Sequence, residues 1–90
     1  MIKLLKINAL WCPSCLIMNN IYTKVANDYQ LPLETLDYDF DQEKVEPLNV
    51  GNILPVLIIY QDDVEIKRIV GEKTHNQIIE EIELIINEKK

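Results

Sequence analysis

Ninety residues, 48% of them apolar and only two of them glycine, suggest one globular domain with a single core, not a disordered chain or a pair of domains. Fifteen acidic against nine basic residues give a formal charge of −6, and no basic stripe is interleaved with aromatics, which argues against nucleic acid as a partner. The longest apolar runs, such as Val56 to Tyr60, are too short to span a bilayer, which argues against a membrane.

The N-terminus, Met1 to Ile7, alternates lysine with aliphatic residues and lacks the apolar core and cleavage site of a secretory signal. A cytoplasmic protein is therefore expected. Ile2 to Asn8 reads as a buried strand. It runs into Trp11-Cys12-Pro13-Ser14-Cys15, which holds the only two cysteines of the chain. Pro13 suits a first helical position, where its missing N–H costs nothing. From Pro13 to about Tyr29 a helix is expected, with Ile17, Ile21, Val25 and Tyr29 recurring every fourth residue beside Met18, Tyr22 and Ala26. Leu31-Pro32 breaks it, Leu33 to Phe40 is a second strand, and Asp41 to Asn49 allows at most two helical turns.

Pro55 to Tyr60 is a nearly continuous apolar run, as in a strand covered on both faces. Asp62-Asp63 supplies a tight turn into a partly exposed edge strand, Val64 to Val70, which ends at Gly71. Thr74 and Gln77 have the spacing of a capping box. The helix they open carries Ile78, Ile79, Ile82, Ile85 and Ile86 on one face, with Glu80, Glu81 and Glu83 outward and Lys89 and Lys90 at the end its dipole favours. The order β-α-β-(α)-β-β-α implies an α/β fold with a four-stranded mixed sheet. Its first two strands are parallel neighbours, a hairpin adds an antiparallel pair, and helices cover both faces.

Cysteines three apart on a helix are about 5–6 Å from each other, within the reach of a disulfide. The free N–H groups of a helix start stabilise a sulfur anion there. The pair thus reads as a reversible dithiol/disulfide, with Cys12 the nucleophile and Cys15 the resolving thiol, at the carboxyl end of the first strand where open α/β sheets gather function. Two other readings stand beside it: buried structural thiols, and a small metallochaperone holding Cu(I) or Zn(II) between the cysteines. No further cysteine exists to close a tetrahedral zinc site, and a metal ligand beyond the pair is not expected.

On these residues the chain resembles the thioredoxin/glutaredoxin superfamily from Leu4 to the last helix, in its minimal, glutaredoxin-sized form without the N-terminal strand and helix of a full thioredoxin. Trp11 before the motif is similar to thioredoxins, and Pro13 after the first cysteine to glutaredoxins. Ile53-Leu54-Pro55 falls where the family has a cis-proline loop, and Val70-Gly71 where a glycine loop packs near the disulfide. X–Pro bonds are trans in most cases; the resemblance alone implies that Pro55 is cis and holds the Leu54 backbone beside Cys12 for a substrate strand. It implies a thiol–disulfide oxidoreductase acting on protein disulfides, with no resident cofactor, a monomer, re-reduced by a thioredoxin-reductase-type flavoprotein. Glutathione fits less well, because the family's glutathione-site residues are replaced by Ile53-Leu54-Pro55 and Val70-Gly71-Glu72. Trp11, Pro13, Ser14, Phe40, Ile53 and Leu54 would form an apolar rim, although Phe40 and Ile53 read equally as core. A docking module without turnover is disfavoured by the two intact cysteines.

One position departs from the family. Lys6 stands where thioredoxins bury an aspartate beneath the disulfide, and Asp37 falls near the place of that aspartate's lysine partner. Either Lys6 and Asp37 approach each other below Cys15 and tune its protonation, or Lys6 snorkels to solvent from the sheet edge. His75, the only histidine, is expected to be an exposed residue of a capping region.

Overall fold

The computed structural model describes residues 1–88; Lys89 and Lys90, expected to close the last helix, lie outside the described residues. The elements are β1 (Ile2–Asn8), α1 (Pro13–Asp28), β2 (Leu33–Asp37), α2 (Gln42–Val45) with a following 3-10 turn (Glu46–Leu48), β3 (Val56–Gln61), β4 (Val64–Val70) and α3 (His75–Glu88). The sheet has four strands in the order β2-β1-β3-β4. β1 and β2 are parallel, with Leu4 opposite Leu33 and Asn8 opposite Asp37. β3 is antiparallel to both β1 and β4. The expected topology is the one observed, including β4 at an edge.

Alternation along β1 divides the core. Leu4 joins Met18, Tyr22, Val25, Leu57, Ile59, Ile78 and Ile82 in a cluster between the sheet and the pair α1 and α3. Leu5 and Ile7 point the other way, joining Leu36, Val45, Val56 and Ile58 under α2, in a cluster that also takes in Cys12, Cys15 and Leu54. With both faces covered, β1 and β3 have no solvent side, which is why their sequences are apolar at consecutive positions.

Local chemistry sets the ends. Gln30 takes a left-handed conformation (φ 53°) after α1. The Leu31 and Gln30 amides bond back to the Ala26 and Asn27 carbonyls at 2.8 and 3.2 Å, a Schellman ending. Asp62 and Asp63 both have positive φ, 51° and 68°, the pair that a two-residue hairpin turn requires. The capping box forms: Thr74 N–H donates to Gln77 Oε1 (2.9 Å) and Gln77 N–H to Thr74 Oγ1 (3.1 Å).

Three expectations need correction. β2 stops at Asp37 instead of Phe40, because the Asp37 carboxylate takes the Asp39 and Phe40 amides, both at 2.9 Å, and turns the chain. Ile17 is 57% exposed and not on the core face of α1, whose buried residues are Cys15, Met18, Tyr22, Val25 and Ala26. β1 is an internal strand, so Lys6 has no sheet edge from which to snorkel. No helix among the described residues is long and apolar enough to cross a membrane.

Candidate active site

Cys12 is the N-cap of α1, extended at φ −102°, and its sulfur fills the role a serine or aspartate oxygen usually takes. The Cys15 N–H donates to Cys12 Sγ at 3.2 Å. Pro13 opens the helix exposed, Ser14 is half-buried, and Cys15 sits one turn in, 1% exposed against 5% for Cys12. No bond joins the two sulfurs in this structure, and both are buried. Burial pushes the Cys15 thiol from its ordinary 9.0 up to about 12; its hydrogen bond to Cys12 adds to the rise, while the Ala9 backbone and the Lys6 charge act against it. A proton is thus held on Cys15, where the Cys12 sulfur can share it.

The rim is built by the loops at the carboxyl ends of β1 and β2 and before β3. The Leu54–Pro55 bond is cis, as the resemblance implied. Leu54 and Pro55 are buried, and no group among the described residues bonds the Leu54 amide or carbonyl. Gly71 (φ 86°) donates its N–H to the Pro55 carbonyl at 2.8 Å, tying the end of β4 to that loop. Arg68 braces the same region by donating to the Leu48 carbonyl at 2.8 Å. Trp11 is 57% exposed, donates Nε1–H to Asp39 Oδ2 at 2.7 Å, and meets Tyr38 edge to face with ring centroids 6.0 Å apart. Phe40 and Ile53 are 79% and 63% exposed, which decides against a core role for either. With Trp11 they leave large apolar side chains in water on the loops at this end of the sheet.

Beneath the dithiol, Lys6 is the one buried charged residue among those described, 9% exposed. Its Nζ donates to Asn19 Oδ1 at 3.0 Å, and Asn8 Nδ2 donates to the same oxygen at 3.2 Å. Burial lowers the Lys6 pKa and the Cys15 charge partly restores it. The Tyr22 hydroxyl, one turn beyond Asn19 on the same helix face, is buried without a partner, and its pKa is raised by burial and by both cysteines. Asp37 does not join this group: its Oδ1 accepts the two turn amides, its own N–H donates to Asp41 Oδ2 at 2.8 Å, and it forms no ion pair with Lys6. Its work is to make the turn that brings Asp39 to Trp11. His75 is half-buried, with Nε2 unpartnered, so it is less exposed than its capping position suggested.

Asn19, Asn8 and Asp39 do not stand out in the sequence as site residues. Asn19 carries a signal, lying four residues after Cys15 and so on its face of the helix. Asp39 carries none, since its reach to Trp11 depends on the turn that Asp37 makes. No cluster of three or more His, Cys, Asp or Glu able to hold a metal occurs among the described residues.

A dithiol at a helix start, a cis-proline loop beside it and a four-stranded α/β sheet beneath define a thiol–disulfide oxidoreductase of the thioredoxin fold. The chain belongs to the thioredoxin family, whose sequence pattern it matches over residues 2–84. It is similar to a mutant thioredoxin of Halobacterium salinarum (TM-score 0.84, 21% identity, 91% of this chain and 72% of that one). A Plasmodium falciparum thioredoxin gives TM-score 0.82 at 19% identity, covering 91% of this chain and 79% of that one. A complex of ferredoxin:thioredoxin reductase and thioredoxin f2 gives 0.81 at 21% identity, covering 93% and 76%. No curated protein matches the sequence.

Proposed function

We propose that this protein reduces disulfides of other proteins through a Cys12–Cys15 dithiol/disulfide cycle, in the cytoplasm and as a monomer. Cys12 attacks a substrate disulfide, forming a mixed disulfide and releasing one substrate thiol. Cys15 then displaces the second substrate sulfur, leaving Cys12 and Cys15 bonded and two electrons on the substrate. The observation that carries this reading is the asymmetry of the two sulfurs. One caps the helix at the rim, and the other lies a turn deeper and keeps its proton until it is needed.

An external reductant returns the electrons. A reductase protein is supported by the thioredoxin f2 complex, and a flavoprotein of the thioredoxin-reductase type is our reading of its class, ahead of glutathione. The test is Cys15→Ser, which should accumulate a covalent adduct between Cys12 and a substrate protein that wild type turns over. Failure to trap any adduct would overturn the cycle. The equilibrium potential of the couple decides the direction. About −270 mV fits a reductase, whereas about −200 mV or higher fits glutaredoxin-like or isomerase-like exchange.

A further inference from the structure

We propose that Lys6, fixed by Asn19, is the positioning residue that provides the positive charge for the Cys15 thiolate when it resolves the mixed disulfide. The inference rests on the exchange cycle above.

The argument begins with placement. A lysine in the middle of an internal strand would bury its ammonium at a cost of several kcal/mol without compensation. Here compensation is built: Nζ donates to Asn19 Oδ1 (3.0 Å), and Asn8 Nδ2 (3.2 Å) fixes that amide with its oxygen toward the lysine. Asn19 stands four residues after Cys15, so it brings the ammonium under the turn of α1 that carries the resolving sulfur. One hydrogen bond leaves two of the three ammonium protons uncommitted to any described residue.

No carboxylate among the described residues pairs with the Lys6 ammonium. Asp37 reaches this face of the sheet from β2, but its Oδ1 is taken by the Asp39 and Phe40 amides. α1 presents Cys12 and the Tyr22 hydroxyl, β3 presents Leu57 and Ile59, and α3 presents Ile78 and Ile82. At the start of α3, His75 is half-buried; farther along, Glu81 pairs with Lys67 (3.1 Å) and Glu83 accepts from Tyr29 (2.8 Å). The anion that Lys6 meets is therefore Cys15, and the coupling of the two charges is mutual.

In the resolving step, the Cys15 S–H gives its proton to water and the sulfur's electron pair forms the bond to Cys12. The bond between Cys12 and the substrate sulfur breaks, its electron pair leaves with that sulfur, and the substrate thiolate takes up a proton from solvent. The Lys6 ammonium lowers the energy of the buried thiolate between these events. A carboxylate in its place would oppose that thiolate.

The experiment uses Cys12→Ser, which removes the Cys12 influences that raise Cys15 and needs no turnover. The thiolate of Cys15 is followed by its ultraviolet absorbance against pH. Adding Lys6→Met should lower the thiolate-to-thiol ratio at fixed pH about tenfold, the shift expected of one lost opposite charge nearby. Lys6→Arg should restore at least part of it. Asn19→Asp, which neutralises the ammonium without removing it, should move the ratio in the direction of Lys6→Met and serves if that variant does not fold. With both cysteines present, Lys6→Met should slow resolution of the mixed disulfide about tenfold. Unchanged Cys15 titration in both Lys6→Met and Asn19→Asp overturns the proposal, and does so whether or not the exchange cycle stands.

Discussion

Phe40→Ala separates the rim from the core, and the structure fixes the scale of each effect. Phe40 is 79% exposed, so about a fifth of its surface leaves water on folding. Complete burial of such a side chain is worth about 1.5–3 kcal/mol, which puts the loss on truncation near 0.3–0.6 kcal/mol. At about 4–8 °C per kcal/mol for a domain of this size, the midpoint of thermal unfolding should fall by roughly 1–5 °C. Ile58, fully buried in the cluster that also holds Cys12 and Cys15, is the contrast: Ile58→Ala should cost about 2–5 kcal/mol, cavity included. Thermal melts followed by circular dichroism measure both variants. Exchange is then measured with a protein disulfide and with a small aromatic disulfide reagent. Phe40→Ala should slow the first about fivefold, equivalent to ~1 kcal/mol of contact, and leave the second unchanged. A stability loss above about 2 kcal/mol, or equal slowing with both substrates, would refute the assignment of Phe40 to the rim.

Reduced protein should lose stability as pH rises from about 9 toward about 12, because the folded state holds the Cys15 proton more tightly than the unfolded chain does. Urea midpoints measured at about pH 8 and about pH 10.5 should therefore fall further for reduced wild type than for Cys15→Ser, and equal falls would contradict the Cys15 assignment. Gly71→Ala should cost about 1–2 kcal/mol in chemical denaturation. The cause is the φ of 86°, not a clash, since an added Cβ would meet only Ile53 Cγ2 at an ordinary 3.6 Å. Thr74→Ala should cost ~1 kcal/mol with an unchanged urea m value, since it removes one half of a reciprocal cap without altering the surface exposed on unfolding.

Where the sequence is legible, local chemistry and burial agree. β4 begins and ends at its predicted residues because Asp62-Asp63 and Gly71 are turn residues on either side of an alternating run. Cys12 and Cys15 stand out by spacing alone. Ile17 is misplaced by the sequence pattern for a geometric reason: each i to i+4 step overshoots a full helical turn by about 40°, so a row ending on Tyr29 has wound off the core by Ile17. Lys6 is ambiguous because its partner arrives from another element. A lysine among aliphatic residues reads as a surface residue until α1 brings the Asn19 oxygen over it. The Lys6–Asp37 pairing fails for the converse reason. Proximity across two strands can be inferred, but the competing turn amides of Asp39 and Phe40 cannot.

The break in the β3–β4 ladder bears on how the molecule meets other backbones. Lys67 lies opposite Ile59 but Glu65 opposite Tyr60, so Ile66 is an extra residue in the middle of the outer strand. A foreign chain laid along β4 finds no continuous hydrogen-bonding template, and Glu65, Lys67 and Arg68 offer it charge at close intervals. At the opposite border, β2 is only five residues long. Self-association by sheet extension is thus discouraged at both borders, while Leu54, in the buried cluster that holds Cys12, keeps an amide and a carbonyl unclaimed among the described residues. The loop before β3, unlike either border of the sheet, thus keeps a backbone donor and acceptor open among the described residues.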